Sequence, residues 1–270
     1  MIYLGTLDRM IGLDCPAEQS VSHAGRVSTV TTVEGRVKAM VVPGSGRSWS
    51  IGVSAGARQS ASATLQEFAV GAWGPGPFIF VPADAPLTNM LSPRAAASMD
   101  TVPYTSATLG GPVDLGQAGW SPASQIIGDA TSSSEIYATR IPTPVFPGRA
   151  VTGSAWISPG ANLTAQLCLY WRDVNGGIVS GTARSAGVSS PRTRVSVTGM
   201  PPVGAAYAQL VAQQASMMTR PQITWTDSPV PWAAGEGCPQ AVVHDLSRSQ
   251  STAWPGSVLS SVQYTVTEVM

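Results

Sequence analysis

"SAWISPGANLTAQLCLYWRDVNGGIVSG", residues 154–181, holds the alternation that decides the fold. Over 162–172, Leu163, Ala165, Leu167, Leu169 and Trp171 share one face of a strand, since strand side chains alternate with period two. The other face carries Thr164, Gln166, Cys168, Tyr170 and Arg172. Over 151–158, Val151, Gly153, Ala155 and Ile157 alternate with Thr152, Ser154, Trp156 and Ser158. The "RDVNGG" that follows Trp171 reads as a hairpin turn, with Asn175-Gly176 supplying the positive φ angles. Strands with one apolar and one mixed face are the unit of a β-sandwich.

The same texture extends outward. From about Asn89 to Glu236 the chain is rich in Ser, Thr and Gly, and further strand-like runs at 193–198, 205–213 and 222–226 recur at sandwich spacing. In 205–213, Ala208, Leu210 and Ala212 point inward and Tyr207, Gln209 and Gln213 outward. Upstream, "RVSTVTTV", "RVKAMVV" and "SWSIGVS" read as strands between 26 and 54, broken at Glu34-Gly35 and "PGSG". One short helix is expected in "SATLQEFAVG", with a Thr64/Glu67 capping box, Leu65, Phe68 and Ala69 on one face, and Gly71 closing the end. A Pro-bounded strand "PFIFV" follows, and "SSVQYTVTEVM" alternates as a final strand.

Composition agrees with an all-β chain. Gly 28 and Pro 22 in 270 residues leave little room for long helices, and only 11% of residues are charged. Fifteen basic against fifteen acidic residues give no electrostatic footprint for nucleic acid or an anionic membrane surface. No apolar run reaches transmembrane length and no signal peptide is expected at "MIYLGTLDRM", which places assembly in a cytosol-like compartment. Cys15, Cys168 and Cys238 are far apart and odd in number, so reduced thiols are expected, with neither a disulfide framework nor a zinc site.

Catalytic patterns are sparse. "GVSAG", 52–56, matches G-x-S-x-G, which makes Ser54, with a later Asp and His244, a remote serine-hydrolase reading. A nucleophile elbow needs strand-turn-helix inside an alternating β/α pattern, which this chain lacks. Neither His23 nor His244 stands in a metal-ligand spacing, and the carboxylates are isolated, so no metal, no cofactor and no enzyme activity are expected. What stands out is aromatic phase: Trp156, Tyr170 and Tyr207, with Gln166, leave the apolar register of their strands. Aromatics and amides on one face suit a sugar, whose ring stacks and whose hydroxyls take amide hydrogen bonds. The alternative is that they pack against other protein.

Six stretches carry a family resemblance. "GRSWSIGVSAGARQSASATLQEFAVGAWGPGPFIFVPADAPLTNMLSP" is followed by "VTGSAWISPG", "LCLYWRDVNGGIVSG", "VSVTGMPPVGAAYAQLVAQQ", "WTDSPVPWAAGEGC" and the closing "VQYTVTEVM". Together they resemble the distal tail or minor tail proteins of long-tailed actinobacterial phages, the middle part looking like a jelly-roll insert similar to carbohydrate-binding modules. The resemblance implies an N-terminal β-sandwich or barrel over 1–88 that forms a ring, an insert over 89–239, and a segment 240–270 returning to the first domain. It implies a homo-hexamer at the tail tip of the virion, with the tail tube protein and baseplate hub as partners and the insert projecting outward. Host cell-wall glycan is the expected ligand of the insert, at Trp156, Tyr170, Tyr207 and Gln166.

Overall fold

The computed structural model of the chain describes residues 1–13, 16–23, 26–42, 46–57, 59–100, 106–179, 181–254 and 257–269. Within these, the side chains at 26–28, 39–42, 54–57, 59–61, 250–254 and 257–259 are outside the description. In chain order the strands are β1 (Ile2–Thr6), β2 (Arg9–Leu13), β3 (Glu18–His23), β4 (Arg26–Thr31), β5 (Val37–Val42), β6 (Arg47–Ala57) and, after helix α1 (Gln59–Ala69), β7 (Phe78–Val81). A one-turn helix α2 (Pro93–Ala96) precedes β8 (Thr108–Gly110), β9 (Val113–Asp114), β10 (Trp120–Ser121), β11 (Ser124–Ile126), β12 (Glu135–Tyr137) and β13 (Thr143–Pro144). Next come β14 (Val151–Pro159), β15 (Gln166–Arg172), β16 (Ala183–Arg184), β17 (Thr193–Gly199), β18 (Tyr207–Gln213) and β19 (Ala215–Thr224). Two long strands end the chain, β20 (Cys238–Trp254) and β21 (Ser257–Glu268). The protein is all-β, with one helix of more than one turn among the described residues.

Contacts divide the chain into two compact units: Met1–Gly5, Ile11–Phe80 and Gln240–Met270 form one, Thr6–Met10 and Val81–Pro239 the other. The first is built on a seven-stranded sheet in the order β2-β1-β7-β20-β21-β6-β3, with β4 and β5 as a separate two-stranded hairpin. Alternation explains its core. Val262, Tyr264 and Val266 of β21 are buried opposite Val53, Ile51 and Trp49 of β6, while Gln263 and Ser50 face outward. Trp49 meets Phe80 edge-on at 5.1 Å. At the far end Arg47, 2% exposed, is held by a bidentate pair to Glu268 at 3.0 and 3.1 Å, which ties the last strand to β6.

Helix α1 begins five residues before Thr64, so the expected capping box does not form: Thr64 lies inside the helix and Glu67 accepts from Trp73 Nε1 at 3.0 Å. Ser62, Leu65 and Phe68 make the buried face and Ala69 is exposed. Gly71, at φ 76°, does close the helix, with its N–H on Phe68 O and the Ala72 N–H on Glu67 O satisfying the last carbonyls.

The second unit is a sandwich of two sheets, β17-β14-β19-β11-β8 and β12-β18-β15-β16, with β13 added to β18. Val151, Ala155 and Ile157 of β14 and Val195 and Val197 of β17 are buried, as are Leu167, Leu169 and Trp171 of β15 and Leu210 of β18. The close approach of the sheets is set at Gly153, where any Cβ would collide with Leu210 and crowd Leu169. Trp171 Nε1 finds Gly181 O at 2.8 Å. Asn89, fully buried, spends its amide on Pro221 O and Ala233 O and its carbonyl on the N–H groups of Leu91 and Ile223, stapling the start of the unit to β19.

Candidate functional site

The turn after β15 differs from the sequence expectation. Gly176 alone takes the left-handed conformation, at φ 88°, and Asn175 does not. Asp173 holds the turn instead: its Oδ1 accepts from the N–H groups of Asn175 and Gly177, both at 2.8 Å, a side-chain mimic of a turn hydrogen bond.

On the outer face of the second sheet, cross-strand pairing sets Glu135 and Gln166 beside Gln213, Tyr137 and Cys168 beside Val211, Tyr170 beside Gln209, and Arg172 beside Tyr207. Glu135 is the hub. Tyr170 donates to its Oε1 at 2.6 Å, Gln213 Nε2 to the same oxygen at 2.9 Å, and Tyr137 to Oε2 at 2.8 Å. Gln213 Nε2 also donates to Tyr170 Oη at 2.6 Å, and its carbonyl accepts from Arg184 at 2.8 Å and from the Cys168 thiol at 3.3 Å. Further along, Arg172 bonds Gln209 through Nε and Gly176 O through Nη1.

These contacts set the charges. Burial by itself would raise the Glu135 pKa, but donation from Tyr170, Gln213 and Tyr137, with Arg172 nearby, outweighs it and holds the carboxyl below its ordinary value. Burial, and then the bond to Glu135, pushes the Tyr170 phenol up, so it stays a donor. Burial likewise raises the Cys168 thiol. Glu135 is thus an anion, with three of its roughly four acceptor sites filled. Beside it lies a groove of about 430 Å³ lined by Ser106, Asp129, Thr131, Ser133, Ser134, Glu135 and Tyr137. A groove walled by hydroxyls and carboxylates offers hydrogen bonds to a polyol.

The four sequence candidates do not form one site. Tyr170, Tyr207 and Gln166 share the Glu135 face, and Gln166 is half-exposed, but Tyr170 and Tyr207 are 8% and 9% exposed. Tyr207 is packed toward the 173–177 turn, its hydroxyl close to Gly176. Trp156 lies on the outer face of the other sheet and is 8% exposed. There Arg194 stacks at 5.0 Å and Arg220 at 6.0 Å from its ring, and Arg194 continues to Ser154, Gln222 and Val230 O. The out-of-register position was legible; the cover over the ring was not. Neither Trp156, Tyr170 nor Tyr207 offers an open stacking face. Glu135, Tyr137 and the hydroxyls of 131–134 were missed because a lone carboxylate in a Ser/Thr-rich loop has no spacing signature.

Of the remote hydrolase reading, the Ser54 side chain lies outside the described residues. His244 bonds Asp245 through Nδ1 at 2.7 Å and Thr267 through Nε2 at 2.8 Å. Cys168 and Cys238 are buried and in no disulfide, and Cys15 lies outside the described residues. Among the described residues no three His, Cys, Asp or Glu side chains cluster as metal ligands, and no helix is long and apolar enough to cross a membrane.

No family profile and no curated protein sequence matches the chain. Among solved structures, it aligns with the enzymatically active domain of tailspike protein 4 of bacteriophage CBA120 at 14% identity and a TM-score of 0.37, over 52% of this chain and 22% of that one. It also aligns with the CBM22-1 and GH10 modules of Clostridium thermocellum endo-1,4-β-D-xylanase 10B, complexed with xylohexaose, at 16% identity and a TM-score of 0.33, over 47% of this chain and 26% of that one. The chain thus spans about a quarter or less of either structure, and at these TM-scores neither likeness assigns it a fold or a function.

Proposed function

We propose that the chain is a structural, non-enzymatic subunit of a phage tail tip whose sandwich binds host cell-wall glycan. In this reading residues 1–88 with 240–270 form a homo-hexameric ring between the tail tube protein and the baseplate hub, and the sandwich is carried as an insert. The tail assignment draws on the sequence resemblance and on the topology: β7 and β20, adjacent in the seven-stranded sheet, are the strands that flank the inserted stretch. A domain spliced between neighbouring strands leaves the host sheet intact. A neutral Ser/Thr/Gly-rich surface suits a heterologous ring contact, since it buries few unpaired charges.

The observation that carries the binding reading is the ionised Glu135, fixed by Tyr137, Tyr170 and Gln213 at the wall of a hydroxyl-lined groove. Such an acceptor is held in place before a sugar hydroxyl arrives, which removes an ordering cost. Weak sites repeated around a ring raise effective concentration, so millimolar contacts still hold a particle.

The test is sedimentation and negative-stain imaging of the full chain, together with its retention on actinobacterial cell-wall preparations. Six-fold rings and retention that falls in Glu135→Gln support the reading. A monomer throughout the micromolar range removes the ring. Folded wild-type protein that ignores every wall preparation removes the glycan and leaves the architectural alternative.

A further inference from the structure

Among the described residues one aromatic side chain stands at the surface. Trp120 is 65% exposed, while every other described Trp, Tyr and Phe is buried or half-buried. It sits on the small hairpin β9–β10, directly across from Asp114. Opposed residues of an antiparallel pair share a face, so the Asp114 carboxylate stands beside the indole. Asp114 Oδ1 is held by the Gly116 N–H at 2.9 Å, and Oδ2 takes no hydrogen bond from the described residues. Exposed Arg192 reaches the same place, its Nη1 donating to Asp114 O at 3.3 Å.

The hairpin is braced from below. Arg220 donates to Ala118 O and Trp120 O, both at 2.6 Å, clamping the two sides of the residue before the indole. Its guanidinium stacks on Trp232 at 4.6 Å and faces Trp156 at 6.0 Å. Gly116 and Gly119, at φ 66° and 76°, allow the tight loop between the strands. Trp156 therefore helps support a platform rather than being one. A rigid, exposed indole loses little freedom on binding, which is what makes tryptophan an effective anchor.

We propose that Trp120, Asp114 and Arg192 form a saccharide site for a neutral pyranose residue bearing adjacent hydroxyls. This rests on the sandwich being a glycan binder and names a second face and a ligand class for it. The C–H face of the ring stacks on the indole, one hydroxyl donates to Asp114 Oδ2 and a neighbouring one accepts from Arg192. Asp114 and Arg192 together give the platform no net charge, which suits a neutral sugar better than a polyanionic one. A protein partner would require a broader apolar patch, whereas between 111 and 122 the other exposed residues are Gly111, Asp114, Gly116 and Gln117 with two prolines, Pro112 and Pro122.

The experiment titrates the full chain with cellohexaose, mannohexaose and polygalacturonate, read by tryptophan fluorescence and calorimetry. The expected result is millimolar binding of at least one neutral hexasaccharide, about tenfold weaker in Trp120→Ala, partly kept in Trp120→Phe, and weakened in Asp114→Asn. Melting of Trp120→Ala should match wild type. No binding of either hexasaccharide, equal binding by Trp120→Ala, or preference for polygalacturonate overturns the proposal. Glu135→Gln separates the two faces: sugar binding lost there but kept in Trp120→Ala refutes this site and keeps the Glu135 groove, and the reverse pattern does the opposite.

Discussion

The seven-stranded sheet and the sandwich are completed in opposite ways. The sheet gathers strands from both ends of the chain, and its last-made members, β20 and β21, stand between β7 and β6. The sandwich draws β8 to β19 from one continuous stretch. The first arrangement closes only after the whole chain exists and carries the entropy of a long loop; the second is built from nearer neighbours. Each unit has its own core, so they are expected to melt as separate transitions.

Deleting 258–270 gives the largest expected effect, because it strips the ladder from β6 and β20 at once and removes Val262, Tyr264, Val266 and Glu268. Calorimetry should show the transition of the first unit abolished and that of the sandwich kept; survival of both breaks the comparison. Trp171→Ala, deep in the sandwich, should cost about 3–5 kcal/mol and move only the other transition. A shift of both would show that the units melt together.

Glu268→Ala removes the carboxylate that pairs with buried Arg47. Removing one member of a buried pair costs about 3–5 kcal/mol, and the 16% exposure of the Glu268 side chain puts this one at about 3 kcal/mol. Urea unfolding should locate the loss in the first unit; an unchanged midpoint would mean the pair contributes nothing. The smallest effect concerns acid. The Glu135 pKa is lowered on folding, so its contribution is complete above the ordinary carboxyl value of 4.5 and is lost as pH falls through the folded value. The sandwich melting temperature should fall more steeply in wild type than in Glu135→Gln as pH drops below the ordinary carboxyl value of 4.5; parallel curves would remove this acid-sensitive contribution.

Much of the sandwich was legible because period-two alternation is local stereochemistry. Leu167, Leu169 and Trp171 went to the interior and Gln166, Tyr170 and Arg172 to the other face, as the register requires. The turn at 173–177 was placed correctly by Asn175-Gly176, although Asp173 supplies the hydrogen bonds. Helix α1 was found from its apolar spacing and its Gly71 stop, but its start was misplaced, since Thr64 and Glu67 fit a capping pattern that the helix does not use.

The sequence by itself determined the all-β class, the clearly alternating strands such as β14, β15, β18 and β21, and which of their side chains share a face, because these follow from the geometry of an extended chain. Only the tertiary structure decided which outward faces are open. Trp156 lies beneath Arg194 and Arg220, residues 38 and 64 positions away by number, and Tyr170 is shielded within a network closed by Glu135 and Gln213. Trp120, in a two-residue strand with no apolar register of its own, is left uncovered. Facing is set by neighbouring bonds, whereas cover depends on where distant segments come to rest.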